Sequence, residues 1–104
     1  LDIKPADIVN DGPYFQTKTK SRAGCQIDYL IQTQFNNLFV CEVKLSRNEI
    51  KREVIDEMQA KLKAVQKPAN FSVFPVLITS SDVSDAVLDA DYFVKIIDLR
   101  RFLA

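Results

Sequence analysis

Three charged residues stand inside apolar stretches of GCQIDYLIQTQFNNLFVCEVKLS, residues 24–46: Asp28 in the first stretch, Glu42 and Lys44 in the second. Charge in a strand-like, apolar setting is costly unless it is paired. Residues two apart on a strand point to the same face, so Glu42 and Lys44 share one. A three-residue loop at 34–36 pairs Thr33 with Asn37 and, counting back, sets Asp28 opposite Glu42. A two-residue turn at Asn36 and Asn37 shifts that register but leaves the two acids near neighbours. Adjacent carboxylates repel unless one is protonated or a cation lies between them, and hard oxygen ligands favour Mg²⁺ or Mn²⁺. Such a cluster could hydrolyse a phosphodiester, with an ion to activate water and polarise the P–O bond and a lysine to offset the charge gained in the transition state. The chemistry-free alternative is an ion-pair network that fixes the register of the hairpin.

Positioning these groups requires a central antiparallel hairpin. Its strands are expected at residues 27–33 and 38–45, with turn chemistry at 34–37. Upstream, residues 14–19 alternate loosely enough for a first strand, and residues 1–13, with Pro5, Gly12 and Pro13, read as an irregular lead-in. Downstream, Ser46 and Glu49 have capping-box spacing, and Ile50, Val54, Met58, Leu62 and Val65 recur at helical spacing. This predicts an amphipathic helix from Ser46 to about Gln66, stopped by Pro68. Residues 73–79 form an apolar run of strand length, and Pro75 predicts an edge position or a strand start. A short helix within 82–91, a buried strand at 93–98 and a last helical turn at 99–103 complete an α/β chain, a mixed β-sheet with helices against it.

Composition narrows the choices. At 104 residues and 47% hydrophobic content, the chain suits one domain over residues 1–104. Fourteen basic and fourteen acidic residues cancel, so binding to nucleic acid has to come from a local patch. Lys18, Lys20 and Arg22 cluster before the hairpin, and Lys44, Arg47, Lys51 and Arg52 follow it. Either group could meet a phosphate backbone, or be ordinary solvated charge. Asp82, Asp85, Asp89 and Asp91 make the C-terminal third a side for nucleic acid to avoid. With no His and only Cys25 and Cys41, neither a Cys/His zinc site nor Ser-His-Asp or Cys-His catalysis can be built. Gly12 and Gly24 cannot make a phosphate-cradling loop. The cysteines are expected to be free thiols, which favours the cytoplasm. No run is long enough to cross a bilayer, and the opening LDIKPADIVNDG carries no signal peptide. A start without Met leads us to expect a piece of a longer chain. Gln26, two residues before Asp28 on the same strand face, could order a metal-bound water or a substrate oxygen, or simply be an exposed polar residue.

At Asp28 and Glu42-Val43-Lys44 the sequence resembles the PD-(D/E)XK nuclease superfamily, whose signature is an Asp on one hairpin strand and Glu-x-Lys on the next. The longer phrase, residues 24–50, looks more narrowly like the nuclease-like domain at the C-terminal end of certain bacterial AAA-type ATPases. The resemblance implies a restriction-endonuclease-like fold and Mg²⁺- or Mn²⁺-dependent cleavage of nucleic acid, with DNA the expected substrate. Asp28, Glu42 and the main-chain carbonyl of Val43 would hold the metal, and Lys44 would position water or neutralise phosphate charge. Gln59 falls where many relatives place a polar helper, although it could equally be a solvated helix residue. The resemblance further implies the parent ATPase as a partner and a possible homodimer. The chain departs from the family in one respect: many relatives draw a glutamate from an upstream helix, and no Glu precedes Glu42 here. The alternative function is accordingly an inactive nuclease-like module serving DNA binding, regulation or assembly of the parent ATPase.

Overall fold

The computed structural model describes residues 3–20 and 24–102. A 3₁₀ turn at Pro5–Asp7 leads into β1 (Ile8–Gln16), followed by β2 (Cys25–Thr33), β3 (Asn37–Lys44), α1 (Glu53–Ala64), β4 (Ser72–Thr79), α2 (Asp85–Ala90), β5 (Lys95–Asp98) and a closing 3₁₀ turn at Leu99–Phe102. The five strands form one sheet in the order β1-β2-β3-β4-β5. The first two pairings are antiparallel and the last two parallel, which makes the predicted mixed α/β sheet.

The hairpin closes as the three-residue alternative requires, with Thr33 opposite Asn37 and the ladder running to Tyr29 opposite Cys41. Its loop takes Phe35 and Asn36 through the left-handed region, at φ 67° and 61°. Asparagine tolerates that region well and phenylalanine does not, so the tight loop is held by the strands on either side.

Both helices cover one face of the sheet. Ile27, Val40 and Leu77 from the strands pack with Ile50, Val54, Ile55, Met58, Val87 and Phe93 into a single buried cluster. The opposite face carries Phe39 stacked on Phe74, ring centres 5.2 Å apart, beside Cys41 and Val76. A β-bulge sets the core face of β2. Between the pairs Gly12↔Leu30 and Tyr14↔Ile27, Asp28 and Tyr29 stand opposite Pro13 alone. The extra residue lets Ile27 join the core while Leu30, three positions on, also packs against it.

Several expectations are corrected. The first strand begins at Ile8, not Tyr14, so much of the presumed lead-in is strand. Pro13 is tolerated because β1 is an edge, and Gly12, at φ 141°, relieves the backbone between the two register shifts of β1 against β2. The helix begins at Glu53, not after Ser46. Ile50 is held extended by a parallel bridge to Val83, with hydrogen bonds from its N–H to Asp82 and to its carbonyl from Ser84. Ser46 Oγ accepts from the Asn48 N–H in a local turn, so the expected capping box does not form. The helix ends at Ala64 rather than Gln66.

Pro75 lies in neither an edge strand nor a strand start, since β4 runs between β3 and β5. The Pro75 carbonyl accepts from the Val94 N–H, so the missing donor faces the β5 side, where pairing begins only at Val76↔Lys95. The last strand is shorter than expected, at Lys95–Asp98, and half-buried as an edge; Phe93 is buried just before it. Arg100 closes this end by pairing with Asp98 at 2.7 Å and Asp82 at 3.0 Å, which holds the Asp98 carboxyl below its ordinary range.

The Cys41 thiol is buried and that of Cys25 half-buried. Among the described residues no helix is long and apolar enough to cross a membrane.

Two expectations follow from the packing. Leu77→Ala, at a fully buried site in the sheet centre, is expected to cost about 2–5 kcal/mol in denaturant unfolding, while Phe35→Ala, 89% exposed, should stay within about 0.5 kcal/mol. Burial pushes the Cys41 thiol up to about 11 from its ordinary value of 9.0. The unfolded chain then ionises first as pH rises, so this contribution is intact below pH 9 and lost between 9 and about 11. Urea midpoints measured across that window should fall more steeply for the wild type than for Cys41→Ala.

Candidate functional site

The site forms where the ladder of β2 and β3 gives way to side chains. One step beyond Tyr29↔Cys41 the strands bring Asp28 to the level of Glu42. Here the bulge re-aims β2, and Asp28 meets β3 through its carboxylate: Oδ2 accepts from the Val43 N–H at 2.8 Å. This bond anchors Asp28 beside the main chain of Val43, whose carbonyl the resemblance implies as a ligand.

Glu42 is 3% exposed, in the middle of the sheet. A carboxylate so placed must be neutralised, and two lysines do this. Lys61 Nζ, from the helix α1, donates to Glu42 Oε2 at 2.7 Å, and Lys44 Nζ lies 3.7 Å from Oε1. Lys44 is shared, since its closest acid is Glu57 of α1, at 2.8 Å. The Glu57 carboxylate, with a smaller contribution from Glu42, holds the Lys44 ammonium above its ordinary value against the opposing effect of desolvation. The result is a chain of alternating charge, Lys61–Glu42–Lys44–Glu57, that runs from helix to sheet and back. Glu57 and Lys61 are four apart on α1 and so face the sheet together.

The helix is fixed independently at its far end. Gln16, at the end of β1 and 6% exposed, donates through Nε2 to the Ala64 carbonyl at 2.7 Å and accepts through Oε1 from the Gln66 N–H at 2.8 Å. One side chain thereby satisfies backbone groups that the helix terminus would otherwise leave unpaired.

Two open depressions adjoin at Glu57. One, of about 430 Å³, is lined by Gly24, Cys25, Gln26, Ala60 and Lys61 with Glu57. The other, of about 720 Å³, is lined by Lys44, Ser46, Glu49, Lys51 and Glu53 among others. Glu42 itself is covered, while its two lysine partners, Lys61 and Lys44, have side chains 25% and 33% exposed.

The expected residues are distributed unevenly. Asp28 meets the Val43 main chain, and Glu42, the residue before it, meets Lys44. Gln26 is exposed and lines the smaller depression, whereas Gln59 is exposed and lines neither. Lys18 and Lys20 are exposed in the connection after β1, and Lys18 adjoins Gly24, whose Cβ position would lie 3.1 Å from the Lys18 nitrogen. Arg22 lies outside the described residues. Lys51 faces the larger depression in the company of Glu49, Glu53 and Glu57, so that wall is not basic, and Arg47 is exposed beside it without lining it. The first turn of α1 carries Glu53 and Asp56, so acidic side chains already stand at its N-terminal amides. Lys61, Glu57 and Gln16 were not anticipated. Lys61 and Glu57 share a helix face, but only the packing shows that this face meets Glu42 and Lys44.

For the divalent ion that the resemblance implies, the donors have the right chemistry: the carboxylate oxygens of Asp28 and Glu42 on neighbouring strands, with the Val43 main chain beside Asp28. A cation already sits on the buried acid, since the Lys61 ammonium is a stand-in for one at Glu42 Oε2. Among the described residues no three Asp, Glu, His or Cys side chains gather into a metal-binding group, so the protein's share would rest on two carboxylates and Val43.

No protein-family model and no curated protein sequence matches the chain. The fold is similar to that of a repair endonuclease from Pyrococcus abyssi, a crystal structure that superposes with a TM-score of 0.55 at 16% identity over 86% of this chain and 38% of that one. The chain thus spans well under half the length of that neighbour. The likeness shows the fold alone, an α/β mixed sheet similar to that of the neighbour.

Proposed function

We propose that this domain is a metal-dependent nuclease that hydrolyses phosphodiester bonds in DNA. The observation that carries the proposal is the convergence at the end of the hairpin, where a bulge delivers Asp28 to the Val43 main chain at 2.8 Å while Glu42 and Lys44 meet within 3.7 Å. Asp28, Glu42 and the Val43 carbonyl would hold Mg²⁺ or Mn²⁺. When bound, the ion supplies Lewis acidity toward water and the phosphate. The chain's own residues do the rest. The Val43 N–H holds the Asp28 carboxylate in place, Glu57 keeps Lys44 protonated, and the Lys44 ammonium offers its charge to the phosphoryl oxygens as negative charge builds on them. The similarity to a repair endonuclease of Pyrococcus abyssi supports a nucleic-acid substrate.

Charge favours one approach for the phosphate backbone. The depression beside Lys51 is crowded with glutamates, whereas the one lined by Gln26 and Lys61 includes Gly24, which Lys18 adjoins. The exposed Asp82, Asp85, Asp89 and Asp91 lie on the α2 side. The ATPase setting rests on residues 24–50 and stands as part of the proposal.

A second reading is favoured by the ion-pair chain itself. Glu42 is fully compensated by lysines of the same protein, as expected of a nuclease-like module that binds or assembles without cutting. The two are separated by incubating the domain with plasmid DNA in Mg²⁺ or Mn²⁺. The nuclease reading expects cleavage that falls at least about 10²-fold in Lys44→Met with the fold retained by circular dichroism; folded wild type that leaves DNA intact in both metals supports the module. Either way, replacing Lys18 and Lys20 together by Gln should weaken DNA binding and lower the slope of log K against log salt by about one for each phosphate no longer neutralised. The same double change at Lys51 and Arg47 should alter the slope less.

A further inference from the structure

Lys61 is the least expected member of the site and the one closest to the buried acid. We propose that Lys61 is a tethered counter-ion which occupies the cation position at Glu42 when no metal is bound and must leave it for a divalent ion to load. The inference rests on the metal-dependent reading above. Three observations carry it. The Lys61 ammonium contacts Glu42 Oε2 at 2.7 Å, closer than Lys44, which is held 2.8 Å from Glu57 instead. Glu42 is 3% exposed, so its charge cannot be left to solvent and some cation has to be present in every state. Lys61 also lines the open depression beside Gly24 and Gln26, so the side chain has space into which it can swing without unpacking the core.

The charges make the two occupants exclusive. With Lys61 in place, Glu42 is already paired, and an arriving divalent ion meets an ammonium at the oxygen it needs. Once displaced, the ammonium stands in the depression through which DNA is proposed to pass. Lys61 is thus a positioning residue: in the metal-free protein it keeps the buried carboxylate compensated and the helix seated, and it weakens apparent metal affinity by competition.

The test compares Lys61→Met, which keeps the length of the side chain, with the wild type, Lys61→Arg and Lys63→Met, the last a loss of the same charge at an exposed helix position. Binding of Mn²⁺ alone is followed by titration calorimetry, and melting is followed in chelator and in Mn²⁺. Lys61→Met is expected to melt below the wild type in chelator, to recover in Mn²⁺, and to bind Mn²⁺ about tenfold more tightly, a difference of about 1.4 kcal/mol. Lys61→Arg should stay near the wild type in chelator, and Lys63→Met should shift neither quantity appreciably. Mn²⁺ affinity equal in the wild type and Lys61→Met, or a Lys61→Met protein that Mn²⁺ does not restore, overturns the inference while leaving the nuclease reading standing. Absence of Mn²⁺ binding in all four proteins overturns both.

Discussion

A carboxylate in the middle of a β-sheet constrains everything placed around it. Glu42 is buried between strands, and the electrostatic cost of that position, about several kcal/mol if unpaired, is offset only by cations delivered to it. Lys44 comes from the same strand face and Lys61 from the helix packed above. The second delivery explains the placement of α1. The helix has to cross the sheet where its polar edge, Glu57 and Lys61, overlies the end of the hairpin, while Val54, Ile55 and Met58 on its other edge enter the core. Gln16 holds its C-terminal end, and the bridge between Ile50 and Val83 holds the segment that leads into it.

The same constraint explains why β2 is irregular. An unbroken β2 would put Ile27 and Leu30 on opposite faces. The bulge at Asp28 and Tyr29 returns Ile27 to the core and turns Asp28 toward the Val43 amide. Packing and site geometry are therefore linked at one backbone feature, since the irregularity that completes the apolar cluster also brings Asp28 to the main chain next to Glu42. Buried, paired acids of this kind also serve as register markers in sheets, so the geometry has a structural use whether or not an ion ever binds.

Much of this could be read in the sequence. The order of strands and helices and the nearness of Asp28 to Glu42 and Lys44 in the hairpin followed from period-two alternation and turn chemistry, while the choice between a two- and a three-residue loop needed the observed register. What stayed hidden depended on contacts distant in the chain. Ser46 and Glu49 have the spacing of a capping box, yet Ile50 is captured by Val83, far along the chain, and the backbone stays extended there. Pro75 argued for an edge because its missing donor was assumed to face a neighbouring strand, whereas β5 starts one residue too late to need it. Gly12 and Pro13 looked like a lead-in because local composition does not distinguish an irregular edge strand from a loop. Lys61 and Glu57 had the charge pattern of any solvated helix face, and only the docking of α1 turns them toward the sheet.

Whether a divalent ion can replace the lysine that neutralises Glu42 is open to direct observation by diffraction from crystals soaked in Mn²⁺ and recorded near the manganese absorption edge. An anomalous peak is expected in contact with the carboxylates of Asp28 and Glu42, with the Lys61 ammonium moved out into the depression beside Gln26. Saturating Mn²⁺ with no peak at these residues and Lys61 still seated on Glu42 would contradict the exchange.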